Sequence, residues 1–357
     1  MSAHEILIWV MAAFATLGAV DRILGNRLGL GKEFENGILA MGSLAMAMVG
    51  IIALAPVLAN LLRPVVVPVY RFLGADPAMF AGTILACDMG GASLAQELTA
   101  DREAALLGGV LGGSMLGATV VFTIPVAMGI LSEEDRPYLA KGVLAGLVTI
   151  PVGILVGGLV AGFPLIKVLR NLIPIVLIAA VISFGLLKWE KAMIRGFGWF
   201  GKGVVALITV GLAAAIVESL TGFTVIPGLA PIEDGFLTVG AIAIVLAGAF
   251  PLVYVLTRLL KKPLAKLGGL LGIGDTAAAG LVATLANSIA TFGLVKNMDS
   301  RGKVVNVAFA VSAAFVFGDH LGFTAGFAPE MLPAVILGKL AGGVSAVAVA
   351  LWLTRKK

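Results

Sequence analysis

Long uninterrupted apolar runs, separated by short polar stretches, organise this chain. They fall at about 5–24, 38–62, 77–98, 104–131, 138–161, 170–188, 200–221, 236–260, 275–296, 304–326 and 330–354. Each is close to the ~20 residues a helix needs to cross roughly 30 Å of hydrocarbon. None alternates with the two-residue period of an outer-membrane strand. The pattern predicts an all-α polytopic integral membrane protein with about eleven hydrophobic segments.

Composition sharpens this reading. Of 357 residues, 60% are hydrophobic and 13% charged, where a soluble domain carries about 25% charged residues. The 47 glycines suit close helix approach and interrupted helices in lipid. A single cysteine, Cys87, excludes an intrachain disulfide. The net charge of +5 is expected to reflect cytoplasmic loops and makes no case for nucleic acid. Met1 to Glu5 is not a basic leader, so the first segment is expected to be retained.

A shift of 198 residues pairs Leu73-Gly74 with Leu271-Gly272, Gly82 with Gly280, Asp101 with Asp299, Ser114 with Ser312 and Lys141 with Lys339. Near the same shift, Ala55-Pro56 falls by Phe250-Pro251 and Asp21 by Glu218. This spacing predicts a duplication: 1–161 as first transmembrane repeat, 162–199 as connector helix and cytoplasmic loop, 200–357 as second repeat.

Charge suggests how the halves relate. Basic clusters stand at Lys188/Lys191/Arg195/Lys202, Arg258/Lys261/Lys262/Lys266, Lys296/Arg301/Lys303 and Arg355/Lys356/Lys357. The stretch with Glu218, Glu233 and Asp234 is acidic. Cytoplasmic loops are the ones enriched in Lys and Arg. All four clusters share that compartment only if segment nine enters and leaves on one face, and symmetry extends this to segment three. The expectation is two inverted repeats, each with a broken or re-entrant segment, nine crossings and a cytoplasmic C-terminus.

Two stretches carry candidate chemistry. Segment three contains Ala86-Cys-Asp-Met-Gly-Gly91, a helix break bearing a charge, with Asn287-Ser288 at the matching place in the second half. Paired broken segments point to a midplane transporter site. Segment ten contains Phe317-Gly-Asp-His-Leu-Gly-Phe323. There Asp319 is a candidate partner for a cation and His320 a proton-responsive group. On one continuous helix these neighbours point about 100° apart and cannot face one spot. Ser114 and Ser312 are repeat-related candidates or simply packing residues. Phe122, Phe317 and Phe323 offer ring faces to an ammonium, and Asn306 is a weaker candidate. Lys141 and Lys339 are expected to snorkel from the starts of their spans. There is no phosphate loop, no Cys-x-x-Cys and no His-Glu-x-x-His, so no enzyme activity, cofactor or resident metal is expected.

At these motifs the chain resembles the ethanolamine-utilisation transporter family, EutH. The stretches that carry this are Ala40 to Gly50, Ala53 to Ala59, Met79 to Gly82, Ala86 to Gly91, Gly142 to Gly146, Val282 to Asn287, Arg301 to Val304 and Gly318 to Phe323. The resemblance implies a bacterial inner-membrane carrier or facilitator moving ethanolamine into the cytoplasm for catabolism. The ammonium would sit against Asp88, Asp319 or both, with Asn287 or Ser288 near the hydroxyl. Where the family commonly has Asn-Asn-Ile-Pro, this chain has Asn287-Ser288-Ile289-Ala290. The second break must then rest on Asn287, Ser288 and Gly293. The alternatives are a membrane scaffold or sensor that binds without transporting, or a carrier of another small amine. Small-residue faces permit a homo-oligomer.

Overall fold

The computed structural model of the chain describes residues 2–355, apart from the side chains of 260–262, 264, 265 and 267. The side chains of Lys261 and Lys262, and the residues Lys356 and Lys357, therefore lie outside the described residues. Helices make up the body, and no strand occurs among the described residues.

Helix α1 (Ala3–Ile23) is followed by α2 (Leu30–Phe72), then two short helices, α3 (Ala78–Ile84) and α4 (Ala92–Leu98). Helix α5 (Arg102–Ile130) is wound wide over Leu106–Gly117 and Thr119–Thr123, with hydrogen bonds running to the fifth residue. Helices α6 (Arg136–Leu147) and α7 (Ile150–Val160) act as one unit, bent at Thr149. Helix α8 (Leu165–Thr221) is kinked at Trp189, whose φ is −136° and ψ 45°. Then come α9 (Ile232–Leu271), α10 (Asp275–Ala286), α11 (Ser288–Val295), α12 (Ser300–Ala313), α13 (Asp319–Phe327) and α14 (Leu332–Leu353).

Seven of these units are long and apolar enough to cross a membrane, which makes the chain a multi-pass membrane protein. The eleven expected segments do not become eleven such helices. Segments six and seven join as the two limbs of α8, whose 57 residues would extend about 85 Å if straight, so the kink divides it. Segment ten is split into α12 and α13. Segments three and nine each become two short arms.

Those two segments double back. Thr99 Oγ1 donates to Asp76 Oδ2 at 2.9 Å, tying the start of α3 to the end of α4. Gly274 N–H donates to Asp299 Oδ1 at 2.8 Å, doing the same for α10 and α11. Arms of 7 to 12 residues reach about 10–18 Å and stop short of a bilayer's thickness.

The bases of the two hairpins lie at opposite ends of α5. At one end Arg102 pairs with Glu330, and Lys167 with Asp101 and Glu103. At the other, Lys303 donates to Asp135 at 2.5 Å and Tyr138 meets Ser300 at 3.0 Å. Asp135 and Lys303 are only 5% and 15% exposed, whereas Arg102 is 77% exposed. Removing one partner of a buried pair costs about 3 kcal/mol, and of an exposed pair about 1 kcal/mol or less. Asp135→Ala should therefore lower the melting temperature in detergent clearly more than Glu330→Ala. Equal shifts would show that the Lys303 pair contributes no more than a surface one.

Candidate functional site

Three helix breaks converge in the interior. The first is the tip of α3–α4, where Leu85 and Ala86 are extended and Gly90 has φ +89°. A Cβ on Gly90 would also sit 2.2 Å from the Ile51 side chain, so both conformation and space require glycine there. This tip carries Cys87 and Asp88.

The second break lies between α10 and α11. Asn287 is extended (φ −159°, ψ 124°), and its carboxamide oxygen accepts the Ile289 N–H at 2.8 Å. That side-chain cap starts α11, so the break stands without the proline of the related motif.

The third break corrects an expectation. Residues 314–318 leave the helix between α12 and α13, and Phe315 takes φ +62°. This left-handed backbone is strained for a bulky residue. The freed donors find partners on the α10 end. Phe315 N–H donates to the Thr284 carbonyl at 3.2 Å and Phe317 N–H to that of Leu285 at 2.9 Å. Asp319 and His320 thus open a new helix instead of lying within one, and both line the same cavity.

That cavity has a volume of about 960 Å³, and its lining includes Asp88, Asp319, His320, Phe122, Phe315, Arg195, Trp199 and Lys202. A smaller cavity of about 280 Å³ is lined by Asp319, Asn287, Phe317, Glu33 and Tyr254. Asp319 is therefore common to both.

Behind the acids lies a lysine, Lys339. His320 Nε2 is 3.8 Å from Asp88 Oδ1, beyond a direct hydrogen bond. Its Nδ1 is 3.1 Å from Lys339 Nζ, which also donates to the Ser114 carbonyl at 2.5 Å. Lys339 is 1% exposed and does not snorkel, whereas its repeat counterpart Lys141 is exposed. Seven residues into α14, Lys339 is about 10 Å from the helix start and is flanked by Gly338, Gly342 and Gly343. A lysine among glycines at that depth was the available signal that it serves the interior.

Other candidates sit outside the cavities. Ser114 is fully buried, its hydroxyl donating to the Leu111 carbonyl, and it meets Lys339 through its backbone. Ser288 and Ser312 are buried with hydroxyls that have no partner among the described residues. Phe323 is buried and stacks on Phe327 at 5.0 Å. Asn306 donates to the Ala277 and Gly302 carbonyls, joining α12 to α10. One ligand atom each from Cys87, Asp88 and His320 lie within 4.8 Å of one another, a spacing a metal ion accepts. The Lys339 side chain stands beside that place, 3.1 Å from His320 Nδ1.

The profile of the family described as "Ethanolamine utilisation protein, EutH" matches residues 3–353. A Listeria monocytogenes protein named probable ethanolamine permease EutH is 60% identical over 356 residues, covering 100% of this chain and 95% of its own. A similarly named protein of Salmonella typhimurium is 50% identical, covering 100% of this chain and 97% of its own. A Bacillus subtilis protein, YxeR, named as uncharacterized, is 52% identical, covering 99% of this chain and 96% of its own. No solved structure matches the chain significantly. With the family profile matching nearly every residue, the chain belongs to the ethanolamine utilisation protein family EutH.

Proposed function

We propose that the chain is a carrier for ethanolamine, admitting it as the ammonium cation across the plasma (inner) membrane of a bacterium. The observation that carries this reading is the placing of Asp88 and Asp319 together in a cavity at the meeting point of interrupted helices. Ionisable groups within a membrane are costly and serve substrates or ion paths. An ammonium taken out of water needs an anion to offset its lost hydration. The names of the relatives, ethanolamine permeases, agree with that substrate. Asn287 uses its oxygen as a cap, which leaves its amide hydrogens for the substrate hydroxyl in the smaller cavity. The work is transport and not catalysis.

In the proposed topology, 1–161 and 200–357 are inverted repeats joined by 162–199, with nine crossings and the C-terminus in the cytoplasm. Hairpin bases at opposite ends of α5 support the inversion. Arg195 and Lys202 on the main cavity support a cytoplasmic mouth, with the site open inward.

An inside-negative potential favours entry of a monovalent cation by about 2.3 kcal/mol per 100 mV, or roughly 50-fold in concentration. No coupling ion is required. Purified protein in liposomes should therefore accumulate labelled ethanolamine when a potential is imposed and respond little to a pH gradient alone. Binding without flux would overturn the carrier reading and favour a sensor.

A further inference from the structure

Lys339 is enclosed by the hairpin tip, α5 and α13, and it lines neither cavity that holds the acids. Among the described residues it has no carboxylate within salt-bridge distance. Its nearest charged company is Asp88, reached across the His320 ring.

We infer that Lys339 is a specificity-determining residue: it cancels the charge of Asp88 and leaves Asp319 as the one uncompensated acid lining the main cavity, so that this cavity takes a monocation and rejects a dication. This rests on reading the cavity as the substrate site. The count does not depend on where the proton sits. A carboxylate with an ammonium sums to zero, and so does a carboxylic acid with a free amine. With Lys339 as the ammonium, its hydrogen bond to His320 Nδ1 at 3.1 Å needs a lone pair there, so the imidazole is then the neutral form and adds nothing. Asp319, with no cation within salt-bridge distance among the described residues, supplies the one uncompensated negative charge among the acids of the main cavity. A monocation neutralises it. A dication only slightly longer leaves one charge uncompensated in a poorly solvated place, which is strongly unfavourable.

Ethanolamine is four heavy atoms long with one charge, so 1,3-diaminopropane serves as a probe of similar size with two. The experiment compares uptake of the two labelled compounds into proteoliposomes. Wild-type protein should take up the diamine at least tenfold more slowly than ethanolamine. Lys339→Gln uncovers Asp88 and should raise the diamine-to-ethanolamine ratio at least tenfold. Asp88→Asn combined with Lys339→Gln removes both members of the neutral pair and should restore the wild-type ratio. Lys339→Arg should keep it. Should the Lys339→Gln chain fail to fold, the double variant and the wild type still decide. Wild-type protein that carries both compounds equally, or a ratio that Lys339→Gln does not move, would overturn the inference. Wild-type protein that carries no ethanolamine would instead overturn the transport reading on which it rests.

Discussion

Asparagine at position 319 is expected to lower ethanolamine uptake by about 100-fold or more while the protein stays folded. The substitution keeps the size of the side chain and its place as first residue of α13, so the backbone has no reason to move. What it removes is the acid of the main cavity that has no neighbouring cation to match it. Leaving a poorly solvated charge without its partner costs about 3 kcal/mol or more, and each 1.4 kcal/mol is about a factor of ten. The check is flux in proteoliposomes beside gel filtration and circular dichroism of the same preparation. Normal uptake by a folded Asp319→Asn protein would place the ammonium elsewhere. Asp88→Asn is expected to lose uptake for a different reason. It leaves Lys339 as an unmatched cation behind the site, and the added Lys339→Gln change should recover transport.

Gly82→Val is expected to be the most damaging single substitution for the fold. A Cβ at Gly82 would lie 1.8 Å from the Gly108 carbonyl oxygen, and one at Gly117 would lie 1.9 Å from that of Leu85. Both contacts are with backbone, so no rotamer change relieves them. Helix α3 would have to move off α5 and carry the Asp88 tip with it. Overpacking of a dense interior costs 1–3 kcal/mol and occasionally more. Here the clash involves two main chains, so about 3 kcal/mol or more is expected, read as a lower melting temperature and loss of uptake. Gly42→Ala is the control. A Cβ there meets nothing within 4 Å, and alanine in a helix stabilises by about 0.5–1 kcal/mol over glycine. A Gly82→Val protein as stable as Gly42→Ala would mean that α3 does not pack on α5 as described.

The broken elements differ in how readable they were. The Asp88 break announces itself because Met-Gly-Gly after an acid cannot continue a helix in lipid without partners. Asn287 is legible only through its correspondence with Asp88, since Ser-Ile-Ala after it is compatible with a helix. The interruption at 314–318 has no such local signal. The stretch Ala314-Phe-Val-Phe-Gly318 is apolar, and its donors are satisfied by carbonyls of Thr284 and Leu285 about thirty residues earlier. Nothing within a window around Phe315 reveals that those carbonyls are free.

Sequence alone determined that the chain spans a membrane many times, and that acids stand within apolar runs at Asp88 and Asp319. Both are local properties: the length of a run against the thickness of hydrocarbon, and the cost of a charge inside it. Tertiary structure decided which polar residues come together. Asp88, Asp319, His320 and Lys339 come from a hairpin tip, a new helix start and the first half of α14. The same packing buried Lys339 beneath the site and left Lys141, its counterpart 198 residues earlier, on the surface. Position in the chain is equivalent for the two lysines. Their surroundings are not, and surroundings decide whether a charge faces water or an acid.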